Sequence, residues 1–199
     1  DNSFFSSSLT KVETQINKMT KMINDFLDLS RMESGRFALN PVTFQLNDLI
    51  EEVIEETATL VTNHPIGYDR QPPVYLLADR QKIGEVIQNF LSNAAKYSPN
   101  DKPIRVILST DEENATVTVI DQGIGISLED QERVFQRFFR SKKASQQGFS
   151  GFGIGLYIAA EIMQRHNGSI GVRSVEDKGS EFFFSLPYIK NDSAPTQAL

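Results

Sequence analysis

"IRVILSTDEENATVTVIDQGIGIS", residues 104–127, decides the fold class. Two strand-like runs, 104–109 and 115–121, flank the polar turn "TDEEN" and read as a hairpin. A second pair, "SIGVRS" at 169–174 and "EFFFSLP" at 181–187, closes around "VEDKGS" in the same way. Strands joined by such short connections favour a mixed or antiparallel sheet covered by helices on one face. The strand–helix alternation of a doubly wound fold is not present. Asp121 then stands at the end of a strand, ahead of Gly123 and Gly125.

Upstream, "VYLLAD" (74–79) reads as a buried strand, followed by the helix "DRQKIGEVIQNFLSNAAKYS" (79–98). Before it, Leu49, Ile50, Val53, Ile54, Ala58 and Val61 form the apolar face of another helix. Asn47 or Asp48 is its expected N-cap. A loop with prolines at 65, 72 and 73 separates the two helices. At the N-terminus, Leu9, Ile16 and Ile23 form one seven-residue series, and Val12, Met19 and Phe26 a second. These are a and d positions of a coiled-coil or bundle helix, with Gly35 as its stop. Downstream of the first hairpin, Ser127 and Asp130 suggest a capping box for a short helix ending in "FQRFFR". Polar residues 141–150 lead into the helix "GFGIGLYIAAEIMQRH". The expected layout is 1–35 bundle helix, 36–190 α+β domain and 191–199 disordered tail. The domain should have three main helices and about five strands.

Composition bounds the function. A net charge of −6 argues against a broad nucleic-acid surface. Absent cysteine rules out disulfides and thiolate metal sites, and two histidines, His64 and His166, exclude a histidine-rich one. No apolar stretch reaches the length of a membrane span, and no signal-peptide pattern opens the chain.

Three constellations could carry chemistry. On the 79–98 helix, Glu85, Asn89, Asn93 and Tyr97 recur at intervals of four and share one polar stripe beside Lys96. Carboxylate and carboxamide oxygens suit Mg²⁺, which takes one or two of them plus waters and phosphates. Equally, such a stripe can be a solvated helix face. Asp121, leaving a strand, needs a donor: an adenine amine or the backbone N–H groups of its own turn. The third is the run of glycines at 151, 153 and 155 before a helix, where unpaired N–H groups favour phosphate. It is neither a Walker A loop nor a dinucleotide fingerprint. The preceding "SKKASQQGFS", with Lys142 and Lys143, suits a lid that closes over phosphates.

In this order the three resemble the N box and two glycine boxes of the sensor histidine kinases. "FQRFFR" resembles that family's phenylalanine box, "KGSEFFFSLP" its closing glycine box, and "LDLSRMESGRFAL" its passage from the second dimerisation helix into the ATP-binding domain. The resemblance covers roughly residues 10–187. It implies a two-layer α/β sandwich of the type shared with gyrase, mismatch-repair and chaperone ATPases, binding ATP and Mg²⁺. By resemblance, Asp121 binds the adenine amine in a pocket shaped by Gly123, Gly125 and Ile126. Asn89 ligates Mg²⁺ with help from Glu85, while Asn93, Lys96 and Tyr97 face phosphate or sugar. Gly151, Gly153, Gly155 and Leu156 bring the helix start to the phosphates, Ser180 belongs to the same site, and Arg137 and Arg140 are candidates for the γ-phosphate. Phe135, Phe138 and Phe139 anchor the lid in the core. Phe152 departs from the pattern, standing where the family has a small hydroxyl residue. His166 is expected to be structural.

The family transfers the γ-phosphoryl group to a histidine on the first helix of a dimeric bundle. Only the second of those helices has a counterpart here, and it holds no histidine. The expectation is therefore a chain that binds Mg-ATP without phosphorylating itself. Its partners are a phosphoacceptor helix of the same or a sister protomer, a response regulator, and a second copy in a full-length homodimer. A cytoplasmic location follows from the resemblance, either free or as part of a membrane-anchored kinase. Two alternatives stay open: a nucleotide-switch ATPase without phosphotransfer, and an interaction module that binds no nucleotide.

Overall fold

The computed structural model describes residues 15, 16, 19, 20, 22–24, 26, 27, 29–32, 34, 37–147, 149 and 151–190. The chain divides into two compact units, 1–38 and 39–199. In the first, the described residues between 15 and 32 are helical and are called α1. Ile16, Met19, Ile23 and Phe26, the expected seam, are 52–62% exposed. Leu9, Val12, Gly35 and the expected tail at 191–199 lie outside the described residues.

The second unit carries two sheets. Strands β1 (Val42–Gln45) and β3 (Tyr75–Ala78) pair antiparallel as a two-stranded sheet. The main sheet has five strands: β2 (Ile66–Tyr68), β4 (Ile104–Thr110), β5 (Asn114–Ile120), β6 (Ser169–Val175) and β7 (Gly179–Pro187), in the order β2-β4-β5-β7-β6. β2 runs parallel to β4 and the other neighbours are antiparallel, so the sheet is mixed. Both expected hairpins are present as β4–β5 and β6–β7.

Strand register aligns one face of the sheet for burial. Val106, Val119, Phe182 and Val172 form one cross-sheet row, and Leu108, Val117, Phe184 and Ile170 the next. Helix α3 (Arg80–Tyr97) lays Ile83, Val86, Ile87, Phe90, Leu91 and Ala94 against this face, all buried as its periodicity predicts. Phe90 meets Phe182 and Phe184 at centroid distances of 5.6 and 6.2 Å, a spacing that favours tilted rings. Helices α2 (Leu46–Leu60) and α6 (Gly155–Arg165) complete the helical layer.

Several local expectations give way to tertiary contacts. Helix α2 begins one residue after Gln45, not at Asn47 or Asp48. Asn47 is fully buried instead: its Nδ2 donates to Gln71 O at 2.9 Å and its Oδ1 accepts from Val74 N at 2.8 Å. Along α2 it is Thr57 that is buried, while Ala58 is exposed. "VYLLAD" is only half-buried, with Leu77 64% exposed, because β3 pairs with β1 outside the main sheet. Two short strands, β1 and β2, raise the strand number above the expected five; β2 hides in a proline-rich loop. Helix α4 (Leu128–Gln131) stops well before "FQRFFR", although the Ser127 hydroxyl does accept from Asp130 N. Residues 141–150 contain a further helix, α5 (Lys142–Gln146), capped by Ser141.

Candidate functional site

Helix α3 positions the polar stripe because both ends are tied. The Asp79 carboxylate caps it, accepting from Lys82 N at 3.1 Å and from Asn40 N at 2.9 Å. The Asp79 N–H donates to His166 Nε2 at 3.0 Å, so the ring's Nδ1–H donates to Ile162 O at 2.8 Å. His166 thereby joins the end of α6 to the start of α3, a structural role as expected. At the other end, Tyr97 O accepts from Ile124 N at 3.3 Å.

Within the stripe, each group has a defined partner. Lys82 Nζ holds both oxygens of Glu85 at 3.0 and 2.9 Å. Asn93 Nδ2 donates to Asn89 Oδ1 at 3.0 Å, and Lys96 Nζ donates to Tyr97 OH at 2.9 Å. In the expected metal pair, Asn89 Oδ1 accepts one hydrogen bond and keeps a second lone pair, and the Glu85 oxygens face Lys82. Among the described residues, no hydrogen bond engages Asn93 Oδ1.

Asp121 is 5% exposed at the end of β5. Its Oδ1 accepts from Gly123 N at 2.7 Å and Ser180 N at 3.2 Å, while among the described residues nothing bonds to Oδ2. The backbone reading of Asp121 thus holds for one oxygen, and the second is left to accept a donor. Burial pushes its carboxyl up to about 6, against the two N–H groups, which lower it.

The glycines close these parts onto one another. A Cβ on Gly123 would lie 2.6 Å from Tyr97 O, one on Gly151 3.0 Å from Lys96 Nζ, and one on Gly155 2.2 Å from Asn89 Nδ2. Gly125 takes φ +64°, a left-handed conformation that glycine adopts without penalty, with Val175 O where a Cβ would be. Gly153, at φ +69°, accepts on its carbonyl from Phe138 N at 2.8 Å. Leu156 follows in the first turn of α6, half-buried. Three segments far apart in sequence, 85–97, 121–126 and 151–156, therefore meet.

Other expected residues stand differently. Phe138 is 57% exposed, so it is no core anchor: its backbone is held at φ +62° and its ring stacks under Arg137 at 4.7 Å. Phe135 does reach the core, edge-on to Phe182. Arg140 donates to Phe149 O, and the Phe149 ring packs edge-on to Tyr97 at 5.0 Å. A cleft of about 800 Å³ is lined by Arg133, Arg137, Arg140, Lys142 and Lys143 among others. Asp121 and Asn89 do not line it, so the polar convergence is not the open cleft. Segment 141–149 touches the convergence instead, through Phe149 on Tyr97 and Lys143 on Ile124 O at 3.2 Å.

Sequence reading missed two residues that hold the Ile126 backbone. Ser174 Oγ accepts from Ile126 N at 2.8 Å, and Gln131 Nε2 donates to Ile126 O at 2.9 Å. Ser174 also meets Ser180 Oγ at 2.9 Å. Neither residue has a local signal, because both contacts depend on how the β6–β7 hairpin and α4 fold back.

This arrangement belongs with a known family. Residues 78–190 match the histidine kinase-, DNA gyrase B-, and HSP90-like ATPase family. The chain belongs to that family. As a histidine-kinase-like ATPase domain it is 35% identical over 90% of its length to the sensor histidine kinase WalK of Bacillus subtilis, of which it covers 30%. It matches the solved structure of the mycobacterial sensor histidine kinase MprB with a TM-score of 0.66 and 25% identity, over 75% of this chain and 98% of that one. Full-length ShkA in complex with AMPPNP shares the fold at a TM-score of 0.75 and 22% identity, over 91% of this chain and 38% of that one. The chain spans less than half the length of the curated relatives it matches. Among the described residues, no helix is long and apolar enough to cross a membrane.

Proposed function

We propose that this domain binds ATP with Mg²⁺ and presents the γ-phosphoryl group to a histidine on a dimerisation helix outside the present chain. The observation that carries the reading is the convergence of a buried acid with one unengaged oxygen, a carboxamide stripe and a glycine-rich helix start. Asp121 Oδ2 accepts the exocyclic amine of adenine, its orientation set by the two N–H groups on Oδ1. Gly123, Gly125 and Ile126 wall the base, Ser180 and Ser174 hold that wall, and Tyr97 and Lys96 face sugar and phosphate. The segment 151–155 leading into α6 receives phosphate oxygens on unpaired N–H groups at the helix start. Arg137 and Arg140 lie within reach of the lid and meet the γ-phosphate after it rearranges.

The residues present fit Mg²⁺, with Asn93 Oδ1 as the protein ligand, Asn89 holding the Asn93 amide in place and Glu85 supporting the charge through Lys82. When bound, the ion neutralises phosphate charge and orients the chain of phosphates. Everything else the domain contributes is positioning and electrostatics, as phosphoryl transfer requires. The relatives' names, sensor histidine kinases, and the AMPPNP held by ShkA support the same assignment. By that analogy the partners are a phosphoacceptor helix, a response regulator and a second copy, and the location is cytoplasmic.

Isothermal titration of a non-hydrolysable ATP analogue tests the reading, with and without Mg²⁺. Saturable binding that collapses in Asp121→Asn, and loses its Mg²⁺ dependence in Asn93→Ala, is expected. No binding by the parent chain leaves the interaction-module alternative. Supplying a histidine-bearing dimerisation helix with labelled ATP then separates a kinase from a switch ATPase: label on the helix and none on this chain is the expected result.

A further inference from the structure

The loop 123–126 is fastened from outside by a lysine that no role above requires. Lys143, on α5, points its Nζ at Ile124 O, 3.2 Å away, and at Asp177 Oδ1, 2.7 Å away. Asp177 N also donates to Ile124 O, at 2.9 Å. One carbonyl therefore gathers the lid segment and the β6–β7 turn. Asp177 sits at φ +60°, a left-handed position that aspartate tolerates better than most residues. The Lys143 side chain is 28% exposed and that of Asp177 79%, so solvent screens the ion pair, and the part-buried bond to Ile124 O is the more sheltered of the two. Ile124 directly follows Gly123, whose N–H holds Asp121 Oδ1. The lysine thus connects through two residues, Ile124 and Gly123, to the carboxylate proposed to read the base.

We infer that Lys143 is a positioning residue that latches the segment 141–149 to the wall of the base pocket and so slows nucleotide release. The inference rests on the nucleotide reading above and adds what holds the lid. An ammonium has three donors, so one Nζ can serve Ile124 O and Asp177 at once. Phe149 on Tyr97 fixes the far end of the segment, which leaves Lys143 as the fastening at its near end. Opening requires Lys143 to leave both partners, and closing over a bound nucleotide restores them.

The test is stopped-flow release of mant-ATP with Mg²⁺ from the parent chain, Lys143→Ala, Lys143→Arg, Asp177→Asn and the Lys143→Ala/Asp177→Asn double variant. Release should quicken roughly three- to tenfold in each single alanine or asparagine variant, with association unchanged. Arginine should restore most of the effect, and the double variant should be no faster than the singles. Parental release rates in Lys143→Ala, or additive effects in the double variant, overturn the latch. Hydrogen exchange on the nucleotide-free chain gives an independent reading. Faster exchange of amides 142–147 in Lys143→Ala supports the latch even if the parent fails to bind mant-ATP, a failure that would count against the nucleotide reading alone. Unchanged exchange overturns the latch.

Discussion

Asp121 and Ser180 hold each other twice: the Asp121 N–H donates to Ser180 O at 2.9 Å, and the Ser180 N–H donates to Asp121 Oδ1 at 3.2 Å. This reciprocal pair carries the ladder between β5 and β7 into the side chain. It fixes the carboxylate while keeping it out of water. Burial of an ionised group without a cation beside it is costly, and here that cost is kept in the resting protein.

Asp121→Asn should therefore stabilise the nucleotide-free domain while removing nucleotide binding. The asparagine carbonyl can still accept from Gly123 and Ser180, and the buried charge is gone. The shift of the carboxyl from 3.8 to about 6 corresponds to up to about 3 kcal/mol at neutral pH. Chemical denaturation at pH 7 checks the gain, and a lower midpoint for the variant would contradict it.

The same group sets a pH dependence. Its folded value, about 6, lies above the unfolded value of 3.8, so between them the folded state binds more protons. Stability from this site falls as pH rises through that window, and the loss is complete above it. The melting-temperature gap between Asp121→Asn and the parent should open from pH 4 to pH 7. Nucleotide affinity should move oppositely, weakening below pH 6 as Asp121 loses the charge that accepts the base amine.

Asn47→Ala should destabilise the domain by about 2–4 kcal/mol, since it strands Val74 N and the carbonyls of Gln71 and Pro72 in the interior. Urea unfolding measures this directly. A loss no larger than that of Asp48→Ala would show that water replaces the carboxamide.

Two glycines should respond in opposite directions. Gly125→Ala meets Val175 O at 2.1 Å from a left-handed backbone, and neither partner can yield. A loss of about 2–4 kcal/mol is expected. Gly67→Ala finds its nearest contact, Ile104 O, at 4.0 Å in an ordinary strand conformation. It should be neutral or stabilise by up to about 1 kcal/mol, through the unfolded chain. Thermal melts of both variants suffice.

The exposed seam of α1 predicts self-association of the chain. Ile16 and Ile23, 56% and 52% exposed, should carry it. Replacing both with Glu should move a sedimentation profile toward monomer, and an unchanged profile would leave the seam without that role.

What the sequence alone determined is what repeats at short range or follows from residue type. The 3.6-residue spacing along 83–94 dictated the buried face of α3, because each apolar side chain recurs on the same side of one helix. The two hairpins were legible since turn and strands are neighbours in the chain. Asp121 and the glycines stood out because a buried acid and a run of helix-breaking residues each require a partner. Tertiary structure decided the rest. Asn47 looked like a helix cap until the 71–74 loop packed over it, and Ser174 carried no signal until the β6–β7 hairpin brought its hydroxyl to Ile126, 48 positions away. The bond from Lys143 to Ile124 O, 19 positions away, likewise came from packing between segments, whereas the Asn93–Asn89 bond lies within one helix. Hydrogen bonds between distant segments leave no periodicity in the chain: one side chain meets one backbone group, and only the packed fold says which.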